Sequence, residues 1–353
     1  MKNVAIQDVI ERMRLFDGIC IEHPRLGKIR DKMLWLLADT TGVVAANEAR
    51  RVAARGRPFK RKELWVLPIV GPSGAMKSTS ISKVIDEINA DERFPPEDIP
   101  VLFVTMRGVK NVRAFLSVIL EHYGDAAKEV MPGSGPVDAQ VVARGVYHAA
   151  REKRTHLLVI DEAHEMLRYD GGKTGKNMAM LLKTMVNEGI FSVVLVGTDE
   201  MLGLFRSAEL KSRTVADEDA TLLPFDIKKA ADRAYFFKFL QRIEDEMVKT
   251  GVVDEPLGWV STLEDRAKIY DMCGGVAGIA CRVLRMALER TLRSGGTSIE
   301  WKDFESAFRA FNATEERPLF DPFAHGPKKE TLGRLKAEAE TKKKSGGKAP
   351  EPA

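Results

Sequence analysis

Short, mainly apolar runs alternate along the first two thirds of the chain with stretches in which apolar residues recur at helical spacing. Runs at 64–70, 100–105, 156–160 and 192–196 predict strands; 77–90, the region near 110–122, 138–153 and 175–188 predict the helices between and after them. Val4–Leu15 and Gly27–Leu37 predict two helices ahead of the first strand. Strands alternating with helices imply a parallel sheet covered on both faces. Pro68 lies inside the first run and removes one backbone donor there, which shortens the strand that can be expected with full pairing. From Ile227 the pattern changes: Ala230–Lys249, Leu263–Asp271, Ile279–Arg293 and Trp301–Ala313 all read as helices, with Gly274-Gly275 a natural stop. The expected division is a helical and basic segment at 1–62, an α/β domain at 63–226, a helical domain at 227–315 and a disordered basic tail at 316–353, read as disordered or partly helical over Lys328–Ala353.

Two of the strands lead into chemistry. The first breaks into Gly71-Pro72-Ser73-Gly74-Ala75-Met76-Lys77-Ser78-Thr79, a glycine-containing turn that opens a helix. Such a turn aims successive backbone N–H groups at phosphate oxygens, and the helix N-terminus adds partial positive charge. Lys77 is placed to reach the β and γ phosphates and Ser78 to put its hydroxyl on Mg²⁺. Met76 stands where the pattern G-x-x-x-x-G-K-[ST] has glycine, so the loop loses backbone freedom and gains a bulky side chain. The third strand carries no charge in Leu157–Ile160 and then ends in Asp161-Glu162, with Asp161 84 residues beyond Lys77. A carboxylate at that point suits a Mg²⁺ shell, and Glu162, pointing differently, suits a general base for water. Together the two elements indicate a nucleoside triphosphate and Mg²⁺. At the end of the fourth strand Thr198 is read either as a sensor of the γ-phosphate or as the N-cap of the helix at Met201–Phe205. His164 completes an Asp-Glu-Ala-His string similar to that of DEAH-box helicases. Too few and too helical residues follow for their second domain, and His164 is expected on the surface of the next helix.

Composition changes this picture little. At 353 residues, 44% hydrophobic and 30% charged, the chain supports an α/β core plus a helical domain. It has no run of 18 apolar residues, and Met1–Arg14 is amphipathic and mixed in charge, so a cytoplasmic protein without a membrane partner is expected. Cys20, Cys273 and Cys281 form no metal pattern and are expected as reduced thiols. The net charge of +4 is local: one basic stretch runs over Val44–Lys62 and another over Lys328–Ala353.

The order of these elements is similar to AAA+ ATPases, and particular strings narrow the likeness. Glu22-His23-Pro24-Arg25, Val101-Leu102-Phe103-Val104-Thr105-Met106, Leu158–His164, Val194–Glu200 and Leu204-Phe205-Arg206-Ser207 resemble the TniB, TnsC and MuB group of transposon ATPases, TniB above all, over roughly residues 15 to 315. The resemblance implies ATP as the nucleotide, an AAA+ P-loop NTPase with an α-helical lid, a homo-oligomer or filament on duplex DNA, and a DDE-type transposase as partner. It implies an arginine finger supplied across a subunit interface, matched by Arg213 with Arg206 in reserve, and a lid arginine, Arg282, that contacts phosphate. DNA-contacting positions match Arg107, Lys110 and Arg113 after the second strand, or Lys173 and Lys176 in and after the loop Asp170–Gly175. Two other readings share these residues: a replication-initiator or helicase-loader ATPase, and a module that holds ATP as a structural or signalling ligand.

Overall fold

The computed structural model describes residues 6–19, 21–22, 25–124, 138–168, 173–206, 208–215, 221–315 and 318–345. Cys20, His23, Pro24, residues 170–172, Ser207 and residues 346–353 therefore lie outside the described part. The chain forms two compact units: residues 25–223, and residues 1–24 together with 224–353. The expected boundaries at 62/63 and 226/227 differ from this division, because the first helix packs with the C-terminal helices and the second with the sheet.

The first of these units is built on four parallel strands, β1 (Val66–Val70), β2 (Val101–Thr105), β3 (Leu157–Asp161) and β4 (Ser192–Gly197), in the spatial order β1-β4-β3-β2. The two central strands are buried at every position, which is why they read as unbroken apolar runs; the edge strands β1 and β2 are buried only in part. Successive residues serve opposite faces. Leu67, Ile69, Val159, Val194 and Val196 pack beneath α2 (Leu26–Ala54) and α3 (Lys77–Asn89). Val66, Leu158, Ile160, Val193 and Leu195 pack on the other face, against α4 (Val112–Glu121), α5 (Ala139–Glu152) and α6 (Lys173–Asn187). Lys173 and Gly175 thus belong to the first turn of a helix where a loop was expected.

Pro68 is accommodated by its place on an edge. Residues 66 and 70 turn their backbone groups away from β4: the Val66 N–H donates to the Arg213 carbonyl, the Val215 N–H donates to the Val66 carbonyl, and the Leu222 N–H donates to the Val70 carbonyl. Pro68 shares their parity, so its missing N–H falls on that outer side and costs the ladder to β4 nothing.

The helical unit consists of α1 (Ile6–Gly18), a short α7 of the sheet unit (Ala208–Lys211) having intervened in sequence, then α8 (Ala230–Lys249), α9 (Leu263–Cys273), α10 (Ala277–Arg293), α11 (Trp301–Asn312), α12 (Pro322–His325) and α13 (Lys329–Ser345). Trp259, Phe304, Phe308 and Phe323 form its aromatic core. Asp17 of α1 accepts two hydrogen bonds from the Arg285 guanidinium of α10, at 2.8 and 3.0 Å, which holds the Asp17 carboxyl below its ordinary range. Burial pushes the Cys273 thiol up to about 12, as befits an inert thiol inside a helix packing.

Of the two readings of the C-terminal tail, the described residues take the partly helical one. Helix α13 covers residues 329–345 and is held by polar contacts rather than by a long apolar stripe. Asp271, buried in α9, accepts from the Lys328 N–H and from the Thr331 hydroxyl, both at 2.6 Å. Arg233 donates to Glu338 at 2.7 Å, and Leu335 is buried.

Candidate nucleotide site

The C-terminal ends of β1, β3 and β4 meet at one edge of the sheet, and the residues singled out from the sequence meet there with them. After Val70 the chain turns through 71–76 and enters α3 at Lys77. Gly71 is obligatory at its position, since a Cβ there would lie 2.8 Å from the Leu222 carbonyl oxygen. Gly74 adopts φ +79°, and Met76 is also left-handed, at φ 59° and ψ 26°. The conformation that glycine takes freely is thus imposed on a methionine, at a cost of order 1–2 kcal/mol. The rest of the turn, Pro72, Ser73 and Ala75, carries the bend, and Thr79 is exposed on the first turn of α3.

Lys77 is 7% exposed, and its ammonium donates to the carbonyls of Gly71 and Pro72, both at 2.8 Å. The Ser78 hydroxyl donates to the Asp161 carboxylate at 2.5 Å across the intervening β4, and the other Asp161 oxygen accepts from the Glu162 N–H at 2.9 Å. A hydroxyl and a carboxylate so placed are the hard oxygen donors that Mg²⁺ takes. Among the described residues no cluster of three or more His, Cys, Asp or Glu side chains is built to hold a metal, so a cation at Ser78 and Asp161 would complete its shell with ligand oxygens and water.

Glu162 is the second strained residue, left-handed at φ 53° and ψ 36°. That backbone turns its side chain away from Asp161 toward His164, whose Nε2 lies 3.4 Å from the Glu162 carboxylate. The expectation of a surface histidine is corrected here: His164 is 5% exposed, and its Nδ1 is buried without a hydrogen-bond partner among the described residues. Residues 163–167 form a tight 3-10 turn packed on Gly197, and this close approach buries the ring. Sequence alone carries no sign of it, since the signal is the short turn rather than a helical period.

Thr198 follows β4 directly beside the nucleotide loop, because the Gly71 N–H donates to the Gly197 carbonyl at 3.1 Å. Its hydroxyl is buried and has no hydrogen-bond partner among the described residues. The N-cap alternative is not realised through the side chain: it is the Thr198 carbonyl that accepts, from the Met201 N–H, at the start of the 3-10 segment Asp199–Arg206. An orphaned hydroxyl at the mouth of this loop is a place for a ligand oxygen or a water.

The arginines and lysines are more scattered. Arg213 lies by Val66, at the opposite end of β1 from the loop, and pairs with Glu63 at 2.5 Å; Arg206 is exposed at the end of its 3-10 segment. Arg282 is exposed on α10 of the helical unit. Arg107 approaches Glu162 at 3.7 Å while remaining exposed, and Lys110, Arg113 and Lys176 are exposed.

Residues 66–205 match the AAA domain family. The sequence matches no curated protein. Among solved structures, the ORC2 protein of Aeropyrum pernix is similar in two forms. The chain with ADPNP and ADP is 16% identical with a TM-score of 0.51, covering 86% of this chain and 72% of that one. The ADP form is 16% identical with a TM-score of 0.50, covering 76% and 67%. The ORC1 protein of the same organism in complex with DNA is 18% identical with a TM-score of 0.49, covering 79% and 65%. This chain therefore spans about two thirds of the length of the solved chains it resembles. Nothing in these comparisons singles out the transposon group that the sequence strings resemble. What they establish, with the four-stranded parallel sheet and the helical C-terminal region, is that the chain has the AAA+ fold, its residues 66–205 matching the AAA domain.

Proposed function

We propose that this chain is an ATP-hydrolysing AAA+ switch acting on duplex DNA, of the replication-initiator or helicase-loader kind. The observation that carries the ATPase part is the convergence of Lys77, the Ser78–Asp161 pair, Glu162 and the unpartnered Thr198 hydroxyl at one edge of the sheet. Lys77 exchanges its two loop carbonyls for phosphate oxygens, which leaves the loop N–H groups facing the same anion. Ser78 and Asp161 would hold Mg²⁺, which would supply charge neutralisation on the transferred phosphoryl group. Glu162 accepts the proton of the attacking water, steadied by the neighbouring His164, and Thr198 orients that water against the γ-phosphate. Arg213 serves the site of a neighbouring copy.

The initiator reading is supported by likeness to an ORC2 protein solved with ADP and ADPNP, which covers the helical region as well as the sheet. Transposition keeps one specific support, the TniB-like strings from Glu22 to Ser207. Stimulation of a transposase against loading of a replicative helicase separates the two.

Lys77→Ala is expected to abolish ATP binding, whereas Glu162→Gln is expected to bind ATP normally and lose at least about 100-fold in kcat. Equilibrium binding and phosphate release measure both; normal turnover by Glu162→Gln would remove Glu162 from the mechanism and favour the module that merely holds ATP. A slowly hydrolysed ATP analogue is expected to switch on binding to duplex DNA, read by fluorescence anisotropy, and binding indifferent to nucleotide would count against the switch.

A further inference from the structure

The most concentrated charge on the molecule lies away from the nucleotide site. Between Arg50 and Lys62 there are seven cations and no carboxylate, while the whole chain carries only +4, so the remainder is on balance negative. The structure explains how this stretch is displayed. Helix α2 ends at Ala54, and left-handed Arg55 and Gly56 reverse the chain. The Asn47 carboxamide then clasps the backbone of Lys62 from both sides, at 2.9 and 2.7 Å, closing residues 47–62 into one loop. Arg51 is held by Glu48 and Arg61 by Glu188. None of Arg50, Arg55, Arg57, Lys60 and Lys62 forms an ion pair with a described residue, and all five are exposed.

The loop does not stand alone. Together with the end of α5 it borders a cavity of about 910 Å³ whose walls include Arg151, Arg154 and His156. Arg61 acts on Arg151 as a like charge; burial first, and then this repulsion, lowers the Arg151 guanidinium from its ordinary value. His156 and Gly189 shortly precede β3 and β4, so the cationic face lies at the N-terminal edge of the sheet, opposite the edge that carries Lys77.

We propose that this face, built on residues 50–62 and the end of α5, is the seat of the duplex DNA backbone. The inference rests on the DNA-acting reading above and assigns its surface elsewhere than Arg107, Lys110 and Arg113. Five unpaired cations within 13 residues suit a row of phosphates, where displacement of counter-ions supplies the affinity without base reading. The five cations bring no exposed aromatic with them, Phe59 being half-buried, whereas a protein hot spot or a membrane-seated patch draws on aromatic anchors.

The test uses the full chain with a slowly hydrolysed ATP analogue and a labelled duplex of arbitrary sequence. Arg55→Glu, Arg57→Glu and Lys60→Glu together are expected to weaken binding by more than tenfold. The corresponding alanine triple is expected to flatten the slope of log affinity against log salt by between two and three, about 0.9 for each phosphate that is no longer neutralised. Nucleotide binding and melting temperature should stay unchanged in both. Lys110→Glu with Arg113→Glu should bind DNA as the parent does. If the parent binds DNA but both triples bind it equally well, the seat is elsewhere and the proposal is overturned, while the DNA-acting reading stands. If the parent binds no duplex in any nucleotide state, that reading falls and the seat with it. Preference of the parent for vesicles of anionic lipid over duplex would also overturn it.

Discussion

Two residues of the candidate site hold backbone conformations that their side chains oppose, and each sits beside a group with a chemical task. Glu162 gains from its strain, since the left-handed turn points its carboxylate away from the Ser78–Asp161 pair and toward His164. Met76 gains nothing visible: it fills the position where glycine is free, directly before Lys77. Met76→Gly is therefore expected to raise stability by about 1 kcal/mol, less the entropy that glycine adds to the unfolded chain, and to tighten nucleotide severalfold. Thermal melts and equilibrium binding read the two effects. Unchanged affinity with slower turnover would mean that the loop is built around methionine.

Among the elements, those whose burial is apolar and regular are legible in the sequence, and those held by polar groups are not. The four strands and α3 to α6 fall within a few residues of their expected spans because their apolar positions alone fix the packing. Helix α2 is expected only over Gly27–Leu37 and in fact runs 29 residues; beyond Leu37 it buries Thr40, Val43 and Asn47. Thr40 shares a hydrogen bond of 2.6 Å with Ser192, and Asn47 grips Lys62, so tertiary polar contacts replace the missing stripe. Helix α13 is legible only as one of two readings of the tail, for the same reason, and its anchor is testable. Asp271→Ala removes the acceptor of both the Lys328 N–H and the buried Thr331 hydroxyl, which should cost about 2–4 kcal/mol. Hydrogen exchange is expected to show residues 329–345 losing protection while 263–269 retain theirs. Equal loss in both would mean that the whole helical unit, rather than α13 alone, depends on Asp271. The site's directions are legible in Lys77, Ser78 and Asp161, whose spacing encodes them; the burial of His164 is not, because only the close approach to Gly197 creates it.

At the scale of the whole molecule the question is whether copies share sites. Arg213 lies at the far end of β1 from the loop, roughly 13 Å away along four strand residues, so its proposed task is in a neighbour. Arg213→Ala and Glu162→Gln subunits, each inactive alone, are expected to regain part of their ATPase activity when mixed, and specific activity of the parent should rise with concentration. If Arg213 serves only as the partner of Glu63, then Glu63→Ala and Arg213→Ala will lower melting alike and leave turnover per folded molecule unchanged. The form of any assembly is also constrained by the edge on which Pro68 sits. An open-ended stack of copies joined strand to strand needs two receptive edges on each copy. Beside β1 one edge is already occupied by residues 213–215 and 221–222, and between them it lacks the donor that Pro68 cannot supply. Only the β2 side is left for such pairing, and two copies meeting there would exhaust it. Cross-strand fibres are thus closed to this domain at the second subunit, and longer assemblies must grow through helices and loops.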